Sequence, residues 1–123
     1  MSKEKLITIL EKFAQYLFTK QKIYQQKMSI NEPEDYQLVK ENITKRPLAL
    51  YEMAKSFISK DIDIGGLIYL TLAHYFVERD NMNFLAESCN STPKKIKKHA
   101  RYLERKLTEK LGKGWFEKVY SAP

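Results

Sequence analysis

The chain has 123 residues, a length that suits one domain and is too short for two ordinary ones. Hydrophobic residues make up 43% of it and aromatic residues 12%, enough to build a core and to argue against a disordered chain. Its one cysteine, Cys89, excludes an intramolecular disulfide and a zinc site built from several cysteines.

The net charge of +7 at pH 7 is concentrated in the last part of the chain. Residues 1–89 contain twelve basic and twelve acidic residues, whereas residues 90–123 contain ten basic and three acidic ones. The entire positive excess therefore lies in residues 90–123. This asymmetry indicates a directed electrostatic surface.

No segment has the pattern of a signal peptide or of a membrane span. The longest apolar run, "IGGLIYLTLAHYFV" (64–77), contains His74 and is too short to cross a bilayer. We therefore expect a cytoplasmic protein, inside a bacterial, archaeal or virus-infected cell, with no membrane partner.

Few glycines and prolines, together with abundant Leu, Ile, Lys and Glu, favour an all-α fold. The first helix is predicted at about Lys3–Lys27, because apolar residues recur there at three- and four-residue spacing. These residues are Leu6, Ile9, Leu10, Phe13, Tyr16, Leu17 and Tyr24. A loop is predicted around Asn31 and Pro33, followed by a short turn or helix at about Pro33–Asn42 that carries Tyr36, Leu38 and Val39.

The next helix is predicted at about Lys45–Ser59, with Thr44 as N-cap and Pro47 in its first turn. Its inward-facing residues would be Leu48, Tyr51, Met53, Ala54, Phe57 and Ile58. Asp61 or Asp63 would then cap a helix at Ile64–Glu78. Because this helix is apolar nearly all round, we expect it to be central, with Gly65 and Gly66 allowing close approach of a neighbour.

A short helix at about Asn83–Cys89 and a long helix at Pro93–Leu111 are predicted next. Thr92 is a good N-cap and Pro93 a good first helical residue, while Gly112 and Gly114 would end the long helix. The tail, with Trp115, Phe116, Val119 and Tyr120, is expected to fold back on the core. The whole of 1–123 would form one domain: an N-terminal helical part (1–44), a helical core (45–111) and an aromatic tail (112–123).

The long helix has two distinct faces. At 100° per residue, Ile96, Ala100, Leu103, Leu107 and Leu111 share one stripe. Lys94, Lys98, Arg101 and Arg105 share the opposite stripe, flanked by Lys95, Lys97 and Tyr102. A solvated helix usually mixes signs for pairing, but between Lys94 and Lys106 only Glu104 is acidic. The pattern suits phosphate contacts, although a lysine-rich surface without a ligand is the simpler alternative.

The segment "FLAESCNSTPKKIKKHARYL" (84–103) is typical of a helix–turn–helix, which would occupy residues 83–111. Ala86 stands where the two helices must pass closely, and Cys89 is a small buried residue. Asn90 tolerates the left-handed turn conformation, and Ile96 anchors the second helix. Asn90 replaces the more usual glycine, and Ser91 stands where an apolar residue is common.

The order of these elements resembles a single cyclin-like repeat of the transcription factor IIB family, which includes the archaeal transcription factor B. "RPLALYEMAKSFI" is similar to the second helix of such a repeat and "GGLIYLTLAHYF" to the third. "FLAESCNS" resembles the fourth and "TPKKIKKHARYLERKL" the basic fifth helix, with the opening amphipathic segment as the first. The resemblance covers residues 45–111 and extends more weakly over 3–44.

The resemblance implies a stand-alone repeat that acts as a transcriptional regulator, because full family members have a zinc ribbon and two repeats. It also implies that the fifth-helix segment contacts DNA. The DNA-contacting residues that the resemblance implies are Thr92, Lys94, Lys95, Lys97, Lys98 and Arg101.

No constellation in the sequence predicts an enzyme, a metal site or a cofactor. His74 and His99 are far apart in sequence; we expect His74 to be a hydrogen-bonded core residue and His99 to flank the basic surface. Cys89 is interpreted as a small core residue, and Asp61 and Asp63 as helix caps rather than paired acids. The four glycines form no phosphate-binding loop.

The sequence therefore predicts an all-α transcriptional regulator that binds double-stranded DNA, either at specific sites or generally. Lys94, Lys98, Arg101 and Arg105 would contact phosphates, and Thr92, Lys95, Lys97 and Tyr102 would contact bases or sugars. The alternative is a protein-interaction module whose basic helix docks on an acidic surface of the transcription machinery, such as polymerase or the TATA-binding protein. RNA binding is a third hypothesis. A homodimer would use the long first helix or the aromatic tail.

Overall fold

The computed structural model describes residues 2–27, 34–56, 58 and 62–120, and the side chains of residues 3–20, 37–56, 58 and 62–118. Helices and their connections make up this described part, which contains no strand, so the expected all-α class is confirmed. The helices are α1 (Ser2–Lys27), α2 (Glu34–Ala54), α3 (Ile64–Thr71), α4 (Arg79–Ser88), α5 (Pro93–Leu111) and α6 (Trp115–Tyr120), with a 3-10 turn at Ala73–Tyr75. None of these helices is long and apolar enough to cross a membrane.

Helices α1 and α2 pack along each other and form one side of the core. The apolar face predicted for α1 is buried at Leu6, Ile9, Leu10, Phe13 and Leu17, and Tyr16 packs beside it. The side chain of Tyr24 lies outside the described residues. The helix forms because its apolar residues repeat at the helical period, so folding buries them in one continuous stripe.

The predicted boundary at Thr44 is wrong, because α2 runs without interruption through it and through Pro47. The Thr44 hydroxyl is no N-cap; it donates to the Lys40 carbonyl at 2.8 Å. Pro47 is itself buried, and Ile43 and Leu50 on either side of it are fully buried. Packing of this face outweighs the roughly 3 kcal/mol that proline costs inside a helix. The short turn or helix predicted at about 33–42 and the start of the helix predicted at about 45–59 thus belong to one helix, which ends at Ala54.

Several of the residues expected to face inward in this region do so. Ala54 is fully buried, and Leu48, Tyr51, Met53 and Ile58 are partly buried against the core. Phe57, Asp61 and the loop predicted around Asn31 and Pro33 lie outside the described residues.

Helix α3 begins as predicted but ends seven residues early, at Thr71 rather than Glu78. Asp63 caps it, since its Oδ1 accepts a hydrogen bond from the Gly66 amide at 2.7 Å. After the 3-10 turn the chain redirects Phe76 into the core, where its ring stacks on Phe13 with centroids 5.0 Å apart. Val77, next in sequence, is 85% exposed. The predicted helix is therefore divided into α3 and the 3-10 turn, while Phe76 keeps an inward position.

The expectation that His74 is a core residue is wrong. It lies in the 3-10 turn with an exposed side chain, its ring 4.3 Å from that of Tyr75 between centroids. The buried polar residue of this region is instead Asn81, whose amide donates to the Tyr75 carbonyl at 2.9 Å and accepts from Lys20 at 3.0 Å. Those two bonds connect the turn, α4 and α1.

Helices α3 and α5 approach each other closely at Gly65 and Gly66. A Cβ atom added to Gly66 would lie 2.9 Å from the backbone nitrogen of Ala100, and one added to Gly65 would lie 3.1 Å from Ile96. The glycines therefore permit near contact of two helix backbones, as expected. Behind the crossing, Leu67 and Ile68 of α3 are buried together with the apolar stripe of α5, which comprises Ile96, Ala100, Leu103 and Leu107.

The C-terminal segment folds back on the core at Trp115, as predicted. Gly112 ends α5 with a φ of +84°, a conformation that side-chain-bearing residues rarely adopt. The Trp115 ring is buried and its Nε1 donates to the Thr108 hydroxyl at 3.1 Å. Phe116 remains 44% exposed, and the side chains of Val119 and Tyr120 lie outside the described residues.

Gly66→Ala is expected to lower the free energy of unfolding by about 1–2 kcal/mol, measured by urea denaturation. Overpacking against the Ala100 backbone costs about 1–3 kcal/mol, and the gain in helix propensity offsets up to about 1 kcal/mol of this. Gly114→Ala is the matched control, because nothing lies within 4 Å of its added Cβ, and it should change stability by less than about 0.5 kcal/mol. Equal stability of the two variants would contradict the close crossing.

Candidate nucleic-acid interface

The turn between α4 and α5 fixes the direction in which α5 leaves the core. Helix α4 begins four residues before the predicted Asn83 and ends at Ser88. Asn90, just after its C-cap Cys89, has a φ of +51°, the left-handed conformation expected for it. The Ser91 amide donates to the Ala86 carbonyl at 2.9 Å and the Asn90 amide to the Glu87 carbonyl at 3.2 Å. This pair of hydrogen bonds is a Schellman motif, which satisfies the last carbonyl groups of α4.

Helix α5 has the predicted boundaries and the predicted caps. The Thr92 hydroxyl accepts from the Lys95 amide at 3.2 Å, and Pro93 occupies the first helical position, where no backbone N–H is needed. Because the Schellman turn and the N-cap follow each other directly, α4 and α5 are joined by a short, hydrogen-bonded connection. It holds α5 at a defined angle to α4.

The structure brings all eight predicted contact residues to the exposed side of the α4–α5 region. The inward stripe of α5 is buried, from Ile96 to Leu107. The exposed set, named here the basic face, comprises Thr92, Lys94, Lys95, Lys97, Lys98, Arg101, Tyr102 and Arg105. Its Tyr102 ring is 44% exposed and lies 5.8 Å from the Arg105 guanidinium carbon, a cation–π distance.

The charges of the basic face are not compensated within the protein. Across the described residues, none of its six lysines and arginines is in an ion pair. Lys106, just beyond the face, does pair, with Glu109 at 3.7 Å. Glu104 is exposed and forms no ion pair in the same part of the chain. The face therefore presents a continuous positive potential to solvent.

His99 flanks the basic face as predicted, but its partner was missed. Its Nδ1 lies 3.1 Å from Oδ2 of Asp63, whose other carboxylate oxygen caps α3. One carboxylate thus ties the start of α3 to the edge of the basic face. The sequence offered Asp61 or Asp63 as the cap of α3, but the contact of Asp63 with His99 depends on the α3–α5 crossing, which residue spacing does not specify.

A groove of about 920 Å³ opens beside the basic face and was not foreseen from the sequence. Its floor, named here the apolar floor, is made of Ile58, Ile62, Ile64, Cys89 and Leu103. Its wall, named here the basic wall, is made of Lys98, Arg101 and Arg105, with Lys5 of α1 contributing a further cation. Only the packing of α1, α3 and α5 brings these distant residues together.

Cys89 packs against the core but is only half-buried, in the apolar floor, whereas the sequence predicted a buried core residue. Burial raises the pKa of its thiol from 9.0 to about 11, and the nearby charge of Asp63 adds to the effect. A thiol with so high a pKa is almost wholly protonated at neutral pH and is a poor nucleophile. Among the described residues no group of three His, Cys, Asp or Glu side chains is placed to hold a metal ion.

Comparisons of the chain with protein-family models, with curated proteins and with solved structures find no match. Functional inference for this chain therefore rests on the geometry and the charge of its own residues.

Alkylation of Cys89 by iodoacetamide at pH 8 should be at least about tenfold slower in the folded protein than in urea. A pKa of about 11 instead of 9 lowers the thiolate fraction about a hundredfold, and the greater nucleophilicity of a more basic thiolate offsets part of that loss. The folded-state rate should rise with pH up to about pH 11. A rate equal to that in urea would contradict the burial of this thiol.

Proposed function

We propose that this chain is a transcriptional regulator that binds double-stranded DNA through the basic face of α5. The observation that carries the proposal is a helix whose inward stripe is fully packed while its six outward lysines and arginines have no ion-pair partner among the described residues. Holding like charges together on one surface is electrostatically unfavourable in the free protein. A polyanion relieves that repulsion and releases counterions on binding.

The arrangement of α4 and α5 suits a helix–turn–helix. The two helices are joined by a short, capped turn, and Ala86 and Ile96 are buried where such a motif packs its helices together. An exposed helix of this kind fits the major groove of B-DNA, which is about 12 Å wide. From Lys94 to Arg105 the helix rises about 16 Å, long enough to reach phosphates on both sides of the groove.

Within this proposal the residues of the basic face have two roles, according to their position on α5. Lys94, Lys98, Arg101 and Arg105 contact phosphates and set the register of the protein on the duplex. Thr92, Lys95, Lys97 and Tyr102 flank that stripe and reach bases or sugars.

A single cyclin-like repeat of the transcription factor IIB type is our proposal for the architecture. Its support is the order of elements, in which five helices (α1–α5) end in a basic one, and the position of α3 directly beneath α5. A regulator of this kind would act as a separate DNA-binding unit.

The affinity for a random duplex, measured by fluorescence anisotropy, should fall about a hundredfold between 50 and 200 mM salt if about four phosphates are neutralised. Lys98→Glu/Arg101→Glu should lower the affinity at 50 mM salt by at least about tenfold and reduce the slope of log K against log salt by about half.

The matched control is Lys12→Glu/Lys113→Glu, which lowers the net charge equally at two exposed lysines outside the basic face. It should retain most of the affinity and the full salt slope. If the two double variants lose affinity equally, binding follows net charge alone and the proposed face is wrong. Weak binding that does not depend on salt would also overturn the proposal.

A further inference from the structure

Duplex DNA does not account for the groove beside the basic face. The phosphates of a duplex would meet the outer ends of Lys98, Arg101 and Arg105, whereas the apolar floor lies behind these residues, between α3 and α5. Ile58, Ile62, Ile64 and Cys89 are only partly buried there, so apolar surface is left open to solvent. Exposed apolar surface that is concave and bordered by polar groups is typical of a binding site.

The size of the groove favours a small molecule over a macromolecule. At about 920 Å³ it is within the usual range for small-ligand sites, about 300–1,000 Å³. Its basic wall spans the eight residues of α5 from Lys98 to Arg105, a rise of about 10 Å. A partner helix several turns long would extend well past both ends of this wall.

The charges around the groove favour an anionic ligand. Two guanidinium groups, those of Arg101 and Arg105, and two ammonium groups, those of Lys98 and Lys5, line it, and none of the four is in an ion pair within the described chain. Among the described residues that line the groove, the acidic one is Asp63, whose two oxygens are engaged by the Gly66 amide and by His99. An arginine fork binds a carboxylate in a bidentate geometry that an ammonium cannot reproduce.

We propose that this groove binds a small amphipathic carboxylate with a medium-length aliphatic chain, such as a fatty acid. The carboxylate lies against Arg101 and Arg105, and the chain lies on the apolar floor between α3 and α5. Lys98, Arg101 and Arg105 belong to both the groove and the basic face, so the bound acid neutralises cations that DNA needs. The acid therefore lowers DNA affinity, a consequence that rests on the proposed function, whereas the ligand site itself does not.

Decanoate tests the site directly by isothermal titration calorimetry in the absence of DNA. We expect one saturable site, with decanol, which lacks the charge, binding at least tenfold more weakly. Ile62→Glu places a carboxylate on the apolar floor and should weaken decanoate binding at least tenfold. Val77→Glu, at a residue that is 85% exposed and outside the groove, is the control and should bind as the unaltered protein does.

Protection of Cys89 from alkylation gives a second measurement, because the thiol lies in the apolar floor and is the one cysteine of the chain. Saturating decanoate should slow its modification at least fivefold at pH 9, and decylamine should not. Equal binding of decanoate and decanol, or an unprotected thiol, would overturn the proposal. Binding of an acidic amphipathic peptide in place of decanoate would also overturn it and assign the groove to a protein partner.

The effect on DNA is measured separately, by anisotropy with decanoate added at saturation. A several-fold loss of DNA affinity in the unaltered protein, absent in Ile62→Glu, supports the shared use of the basic wall. Decanoate binding with unchanged DNA affinity would refute that shared use. A protein that binds decanoate but not DNA would contradict the proposed function and would still support the ligand site.

Discussion

The near contact of the α3 and α5 backbones at Gly66 determines how α5 sits on the core. Because a side chain at Gly66 would meet Ala100 at 2.9 Å, the two helices can approach closely only with glycine there. This approach buries the inward stripe of α5, places Asp63 beside His99, and closes one side of the groove. The basic face is exposed as a consequence, since the opposite side of α5 is held against the core.

The net positive charge of the chain is concentrated on one face, and solubility alone would not require that distribution. In the N-terminal part of the chain several cations have acidic partners. Lys3 of α1 and Lys55, just after α2, both pair with Glu52 and hold the pKa of its carboxyl at about 2. On α5 the cations of the basic face have none among the described residues. A surface that only needs to be soluble does not require this segregation, whereas a phosphate-binding surface does.

The sequence predicted α5 most accurately, because its apolar period, its N-cap and its terminal glycine all agree on one helix. The predictions from sequence were wrong where contacts between residues far apart in sequence determine the local structure. Pro47 is typical of a helix start, yet it lies inside α2 beside the buried Ile43 and Leu50. Helix α3 ends at Thr71, where the apolar pattern alone predicted that it would continue to Glu78. The groove could not be predicted at all, since α1, α3 and α5 contribute to it from positions far apart in sequence.

The central claim is that α5 is anchored by one face and binds DNA by the other. Amide chemical shifts measured by NMR during titration with a duplex test it most directly, because each residue reports separately. If the basic face binds the duplex, the largest changes fall on the exposed positions of α5, from Lys94 to Arg105, with smaller changes in the turn at Asn90 and Ser91. Changes concentrated on α1, or spread evenly over all exposed lysines, would contradict it.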